Sequence, residues 1–255
     1  MTDFLTLDNV SFNYHSKQGE VMAVKELSMS VEKHEFFGIV GPSGCGKTTV
    51  LSLIAGMLKP QKGEIKLLGK PIHECSGIMG YMLQKDHLFE WRTIEENVML
   101  GLEIKHDKSD KSKKRALELL EKYGLIEFKD KRPSELSGGM RQRVALIRTL
   151  ALSPKVLLLD EPFSALDYVT RLSVCNDVYG IIKNECITTI LISHDISEAI
   201  SLCDRVAMLT KRPATLKKIF DITVEGDTPI KRRESKDFSS LFEQIWKELG
   251  VMNND

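Results

Sequence analysis

Residues 41–48 read Gly-Pro-Ser-Gly-Cys-Gly-Lys-Thr. This is the pattern G-x-x-x-x-G-K-[ST], which needs a strand before it and a helix after it so that a glycine-rich loop can wrap a phosphate. The apolar run Phe36-Phe37-Gly38-Ile39-Val40 supplies the strand, and Lys47 to Leu58 reads as the helix, stopped near Lys59-Pro60. Gly41, Gly44 and Gly46 can take backbone angles that other residues avoid. Main-chain N–H groups of Gly41, Pro42, Ser43, Gly44, Cys45 and Gly46 (the proline excepted) then turn toward one anion. The helix opening at Lys47, Thr48 and Thr49 adds the positive end of its dipole. In that setting Lys47 reaches the β- and γ-phosphates, and the Thr48 hydroxyl holds Mg²⁺.

Composition removes several other classes. The chain has 255 residues, long enough for one large domain or two small ones. Lys plus Arg and Asp plus Glu each total 36, so the net charge is zero and binding to nucleic acid by bulk charge is not expected. No apolar run approaches the ~20 residues that span a bilayer. The start Met-Thr-Asp-Phe-Leu lacks the basic and apolar regions of a signal peptide, so the cytosol is the expected compartment. The five cysteines, at 45, 75, 175, 186 and 203, form no C-x-x-C pair and read as reduced thiols rather than a zinc site or disulfide framework. Cys45, beside a helix N-terminus, is expected to have a depressed pKa and some reactivity.

Along the chain, Leu5 to Tyr14 alternates apolar and polar residues, as do Leu27, Met29 and Val31. Such alternation marks half-buried strands, here an antiparallel edge layer ahead of the phosphate loop. Ile65 to Leu68 and Ile78 to Leu83 are further strands. Thr93-Ile94-Glu95-Glu96 is a capping box that starts a helix, and Lys111 to Tyr123 is helical. Strand signal is nearly absent over 93–150. Strands return at Val156 to Leu159, Thr189 to Ile192 and Val206 to Leu209, and Phe238 to Leu249 is an amphipathic end helix. The expected class is therefore α/β. A P-loop NTPase core of mixed sheet with its antiparallel layer (1–92 and 151–255) is interrupted by a helical subdomain (93–150), all within one domain. Two basic stretches, Lys105 to Arg115 and Lys231-Arg232-Arg233, read as solvated loops.

Two more segments carry chemistry. Val156-Leu157-Leu158-Leu159 ends in Asp160-Glu161. A strand this apolar is buried on both faces, so the two carboxylates lie at the carboxyl edge of the sheet, where ligands of open α/β sheets bind. Asp160 suits Mg²⁺, and Glu161 suits orienting or deprotonating water. Leu136-Ser137-Gly138-Gly139-Met140-Arg141-Gln142-Arg143 opens a helix near Met140 and forms a second anion-binding N-terminus. One nucleotide needs only one phosphate loop, so a second γ-phosphate site suggests that two chains share nucleotides. Taken singly, Tyr14 also reads as a core aromatic, His194 as a strand-end histidine and Gln84 as a loop amide.

The order of Tyr14, the loop at 41–48, Gln84, Leu136 to Gly139, Asp160-Glu161, Ser164 to Asp167 and His194 resembles the nucleotide-binding subunit of an ATP-binding-cassette (ABC) transporter, over residues 5–210 or so. The resemblance implies roles. Tyr14 stacks on adenine. Gln84 touches Mg²⁺ and water and senses the membrane partner. Ser137 and Gly138, with Gly139, hold the γ-phosphate of the opposite chain's ATP. Asp167 crosses the dimer interface, and His194 contacts the γ-phosphate and aligns water with Glu161. It also implies a homodimer on ATP binding, an integral membrane permease and an extracytoplasmic solute-binding protein, with the chain on the cytoplasmic face. Glu90-Trp91-Arg92-Thr93 is similar to a Pro-Trp-Arg-Thr stretch of nitrate, sulfonate and taurine import subunits, with Glu90 in place of the proline. Thiamine or riboflavin precursors are the cargo of close relatives. A soluble ABC ATPase and an export ATPase remain the alternatives. The apolar group Leu88, Phe89 and Trp91 reads either as a groove for a permease helix or as subdomain core.

Overall fold

The apolar runs are short and lack a polar face, so a covered parallel sheet is where they can be satisfied. The computed structural model describes residues 4–16, 19–75 and 77–250. Its strands in chain order are β1 (Leu5–Ser16), β2 (Gly19–Val31), β3 (Phe36–Val40), β4 (Lys62–Leu67), β5 (Lys70–Pro71), β6 (Met79–Met82), β7 (Val156–Asp160), β8 (Thr188–Ile192), β9 (Arg205–Leu209) and β10 (Leu216–Asp221). The helices are α1 (Lys47–Ile54), α2 (Ile94–Ile104), α3 (Asp110–Lys122), α4 (Gly138–Leu150), α5 (Tyr168–Asn184), α6 (Ile196–Leu202), α7 (Pro229–Glu234) and α8 (Lys236–Gly250). The larger sheet runs β10-β9-β3-β8-β7-β6, and the smaller runs β2-β1-β4-β5. The smaller sheet is antiparallel throughout, whereas the larger is parallel from β9 to β6 with β10 antiparallel at its edge. This is the P-loop NTPase architecture with its antiparallel layer.

Side-chain alternation divides the core in two. Phe36, Val40, Leu157, Leu159, Leu191, Val206 and Met208 join the cluster on one face. Phe37, Ile39, Val156, Leu158, Ile190, Ile192, Ala207 and Leu209 join the other, beneath the antiparallel sheet. Fully burying each larger member contributes about 1.5–3 kcal/mol relative to exposure. Gly38 is required by close approach, since a Cβ there would stand 2.8 Å from Cys203 Sγ at the end of α6.

Between β6 and β7 the described residues hold helices and turns but no strand. Ile94, Val98, Leu120, Val144 and Ile147 from this stretch belong to the same cluster as Leu157 and Leu159. α2 starts at the capping box, with Glu96 N donating to Thr93 Oγ1 at 3.2 Å and Thr93 N to Glu96 Oε2 at 2.8 Å.

Several boundaries differ from the sequence reading, each for a local reason. α1 stops at Ile54 instead of near Lys59, because Gly56 takes φ 72° and turns the chain out of the helix. α4 starts at Gly138 rather than Met140, because Ser137 Oγ accepts from Met140 N at 3.3 Å and acts as the cap. The basic stretches are loops only in part, over residues 105–109. Lys111, Lys113, Lys114 and Arg115 lie on α3, and Arg115 pairs with Glu185 at 3.2 Å. Arg232, on α7, is buried and donates to the carbonyls of Ser201, Cys203 and Gly226 at 3.3, 2.9 and 3.3 Å.

Candidate functional site

Because β7 lies between β6 and β8, the segments that leave these strands emerge side by side at one sheet edge. Gln84 follows β6, Asp160 ends β7 with Glu161 next, and His194 follows β8. The phosphate loop follows β3, the next strand over. The sequence scatters these groups, and strand order brings them together.

Over the phosphate loop lies a cavity of about 360 Å³ lined by Ser43, Gly44, Gly46, Lys47, Thr48, Thr49 and Glu161. Gly44 has φ 71° with nothing within 4 Å of an added Cβ, so its backbone angle requires glycine and its space is left open. Gly46 has φ 120°, and a Cβ there would meet Ala23 O at 2.9 Å. Gly41 is held close beneath Leu209 and the Cys45 thiol. Lys47 is buried, yet among the described residues its ammonium donates only to carbonyls, Gly41 O at 2.9 Å and Pro42 O at 3.1 Å. An ammonium carries three donors, so a buried positive charge and a donor remain for an anion. Open glycine backbone and this charge fit a polyphosphate.

Glu161 sits at φ 47°, a left-handed angle uncommon for a residue with a Cβ. Its N–H donates to Ile192 O at 3.0 Å, which docks it against the end of β8. Its Oε2 stands 3.0 Å from His194 Nδ1. Asp160 is half-buried; burial raises its carboxyl above the ordinary 3.8, while bonds from Tyr81 and Thr48 pull it back down. Tyr81 donates to Asp160 Oδ2 at 3.2 Å, and burial with the neighbouring carboxylate pushes its phenol up. Gln84 Nε2 donates to Ser164 Oγ at 3.0 Å, and Ser164 Oγ donates to Glu161 O at 2.9 Å. Gln142 of α4 donates to Pro162 O.

The remaining sequence candidates do not line this cavity. Tyr14 is half-exposed, and its hydroxyl and Thr49 Oγ1 are 3.2 Å apart, tying the ring to α1. Ser137, Gly138 and Gly139 open α4, and Asp167 caps α5 by accepting from Thr170 N at 3.1 Å. Gly138 lines a separate cavity with Gln84 and Leu166. Cys45 corrects an expectation. Burial raises its thiol above the ordinary 9.0, outweighing Lys47 and the backbone N–H groups.

Sequence reasoning missed four linking residues. Arg141 pairs with Asp86 at 2.9 Å and Glu90 at 2.7 Å, which gives Glu90 a partner in place of the family proline. Arg148 donates to the carbonyls of Asp86 and His87 at 2.6 and 2.7 Å. Gln142 and Tyr81 are the others; Arg141 and Gln142 stand in the segment 136–143 but have no role of their own in its reading, while Arg148 and Tyr81 stand in no motif. In the segment after Gln84, Leu88 is buried, Phe89 is half-buried and Trp91 is 70% exposed, with the Phe89 and Trp91 rings stacked at 4.7 Å.

The profile of the ABC transporter family matches residues 24–164. An uncharacterized ABC transporter ATP-binding protein, YtlC of Bacillus subtilis (strain 168), is 46% identical and covers 98% of this chain and 96% of its own. The taurine import ATP-binding protein TauB of Jannaschia sp. (strain CCS1) is 37% identical over 94% of this chain and 92% of its own. The nitrate import ATP-binding protein NrtD of Synechococcus elongatus is 38% identical over 87% of this chain and 82% of its own. The solved dimeric structure of a post-hydrolysis state of the ATP-binding cassette MJ0796, bound to ADP and Pi, superposes with a TM-score of 0.72 at 31% identity, covering 87% of this chain and 99% of that one.

Proposed function

The chain belongs to the ABC transporter family as an ATP-binding, ATP-hydrolysing subunit, and on that premise we propose that it powers uptake of a small solute of the nitrate, sulfonate or taurine class through a separate permease. The observation that carries the hydrolytic part is the Glu161–His194 pair at 3.0 Å, on the rim of the cavity that Lys47 charges. Glu161 takes a proton from water as its oxygen attacks the γ-phosphorus, ADP leaves, and His194 holds the carboxylate in line. Lys47 and the loop backbone bind the phosphates, and Tyr14 stacks on adenine. Mg²⁺, held by Thr48, Asp160 and Gln84, would neutralise phosphate charge during the transfer.

Two chains are expected to pair on ATP, with Ser137, Gly138 and Gly139 of one facing the γ-phosphate of the other and Asp167 at the seam. Their placement outside the cavity of their own chain supports this reading. The helical stretch 93–150 would act as the subdomain that carries this second site. No helix among the described residues is long and apolar enough to cross a membrane, so the pathway belongs to a permease that docks near the exposed Trp91. The chain would work at the cytoplasmic face, with a solute-binding protein outside. The named taurine and nitrate importers support uptake and this class of cargo.

Glu161→Gln should bind ATP yet lose ~10²–10⁴ in turnover, the contribution of a general base, and accumulate as an ATP-bound dimer. Unchanged turnover would remove Glu161 from the role. Cells carrying Lys47→Ala should lose uptake of labelled nitrate, taurine or an alkanesulfonate; undiminished uptake of all three would refute the cargo class.

A further inference from the structure

Tyr81 stands on β6, in parallel register with Leu158 of β7. Its ring packs against the apolar cluster beneath the antiparallel sheet, and its hydroxyl reaches Asp160 Oδ2 at 3.2 Å. The Ser52 hydroxyl, from α1, lies beside that phenol. Thr48, at the start of the same helix, bonds the Asp160 carboxylate. Two strands and a helix thus converge on one carboxylate. The last torsion of an aspartate is broad and nearly two-fold, so an unsupported carboxylate at a strand end samples many orientations. A donor fixed to Oδ2 restricts that torsion and selects one orientation.

We propose that Tyr81 is a positioning residue, whose hydroxyl holds the Asp160 carboxylate by Oδ2 in the orientation that serves the divalent cation accompanying the nucleotide. The proposal rests on the reading of Asp160 as a cation ligand. Partners that orient a ligating carboxylate ordinarily contribute 10–100-fold to metal affinity. Neither the strand pattern nor any motif marks this tyrosine; its alternation with Gly80 and Met82 is what any core strand shows. Tyr81→Phe deletes the hydroxyl and keeps the packed ring, which separates orientation from core filling.

The test uses the full chain with a non-hydrolysable ATP analogue and follows Mn²⁺ binding by electron paramagnetic resonance. Parent, Tyr81→Phe and Asp160→Asn are compared, and analogue affinity is measured separately in EDTA. Tyr81→Phe should weaken Mn²⁺ binding about tenfold with analogue affinity in EDTA unchanged, and Asp160→Asn should weaken it at least as much. Parent-like Mn²⁺ affinity in Tyr81→Phe beside a weakened Asp160→Asn would overturn the positioning role alone. Parent-like affinity in both would overturn the reading of Asp160 and the proposal with it. An equal loss of analogue affinity in EDTA would show a general disturbance of the site and also overturn the proposal.

Discussion

Asn97 is fully buried in α2, and its amide organises the whole segment 89–93. Its Oδ1 accepts from Phe89 N at 2.7 Å, and its Nδ2 donates to Phe89 O at 3.1 Å, Thr93 O at 2.9 Å and, at longer range, Arg92 O at 3.4 Å. Asn97→Ala removes three good bonds, each contributing about 1 kcal/mol net, and strands the Phe89 N–H; the two effects overlap, so the sum is about 3–4 kcal/mol. At ~2–4 °C per kcal/mol for a domain of this size, the melting temperature should fall by roughly 10 °C. The chain should still fold, given a usual stability of about 5–15 kcal/mol. Asn97→Asp should be no better, because it keeps the acceptor but turns a carboxylate oxygen toward three carbonyls. Differential scanning calorimetry of the isolated subunit measures both. Co-purification with the permease, done well below the lowered melting point, should fall as well, because Phe89 and Trp91 lose their fixed stack. A melting temperature within ~2 °C of the parent would refute the reasoning, since the amide would then hold nothing that water does not hold as well.

Iodoacetamide at neutral pH should label Cys186 first, because it is the exposed thiol of the five while Cys45, Cys75, Cys175 and Cys203 are buried; peptide mapping that finds Cys45 modified earliest would contradict the structure. Burial is the largest influence on Glu198 and raises its carboxyl above the ordinary 4.5, with the Ser193 bond opposing it. The folded chain therefore holds that proton more tightly than the unfolded one, and the stability this gives is complete below pH 4.5 and lost as pH rises through the raised folded value. Relative to the parent, Glu198→Gln should gain in melting temperature as pH climbs through that window, and a difference independent of pH would disprove it.

The phosphate loop and the buried strands were readable because each is local. A run such as Val156 to Leu159 has one way to be satisfied, and eight contiguous residues carry the loop. Strand order was not readable, and it is strand order that sets Gln84, Glu161 and His194 together. Polar residues inside helices were hidden for a related reason. Asn97, between Ile94 and Val98, looks like a defect in an apolar face until the returning loop supplies its partners. Arg232 misled in the opposite direction, since a basic run reads as solvated unless carbonyls from α6 are known to meet it. Cys45 shows two influences of opposite sign, helix end and burial, and burial is decided by tertiary packing that no motif records.

Glu161 occupies a backbone region that a side chain disfavours, at φ 47°. Glycine would sit there without strain, worth about 1–2 kcal/mol, and asparagine would sit there nearly as well. A change to glycine or asparagine at this position would therefore relax the backbone while, on the proposed role of Glu161, removing the base. A cell that polices its proteins by how well they fold has no means of recognising such a chain. On the proposed function, such a subunit would persist beside the active form and compete with it for the permease.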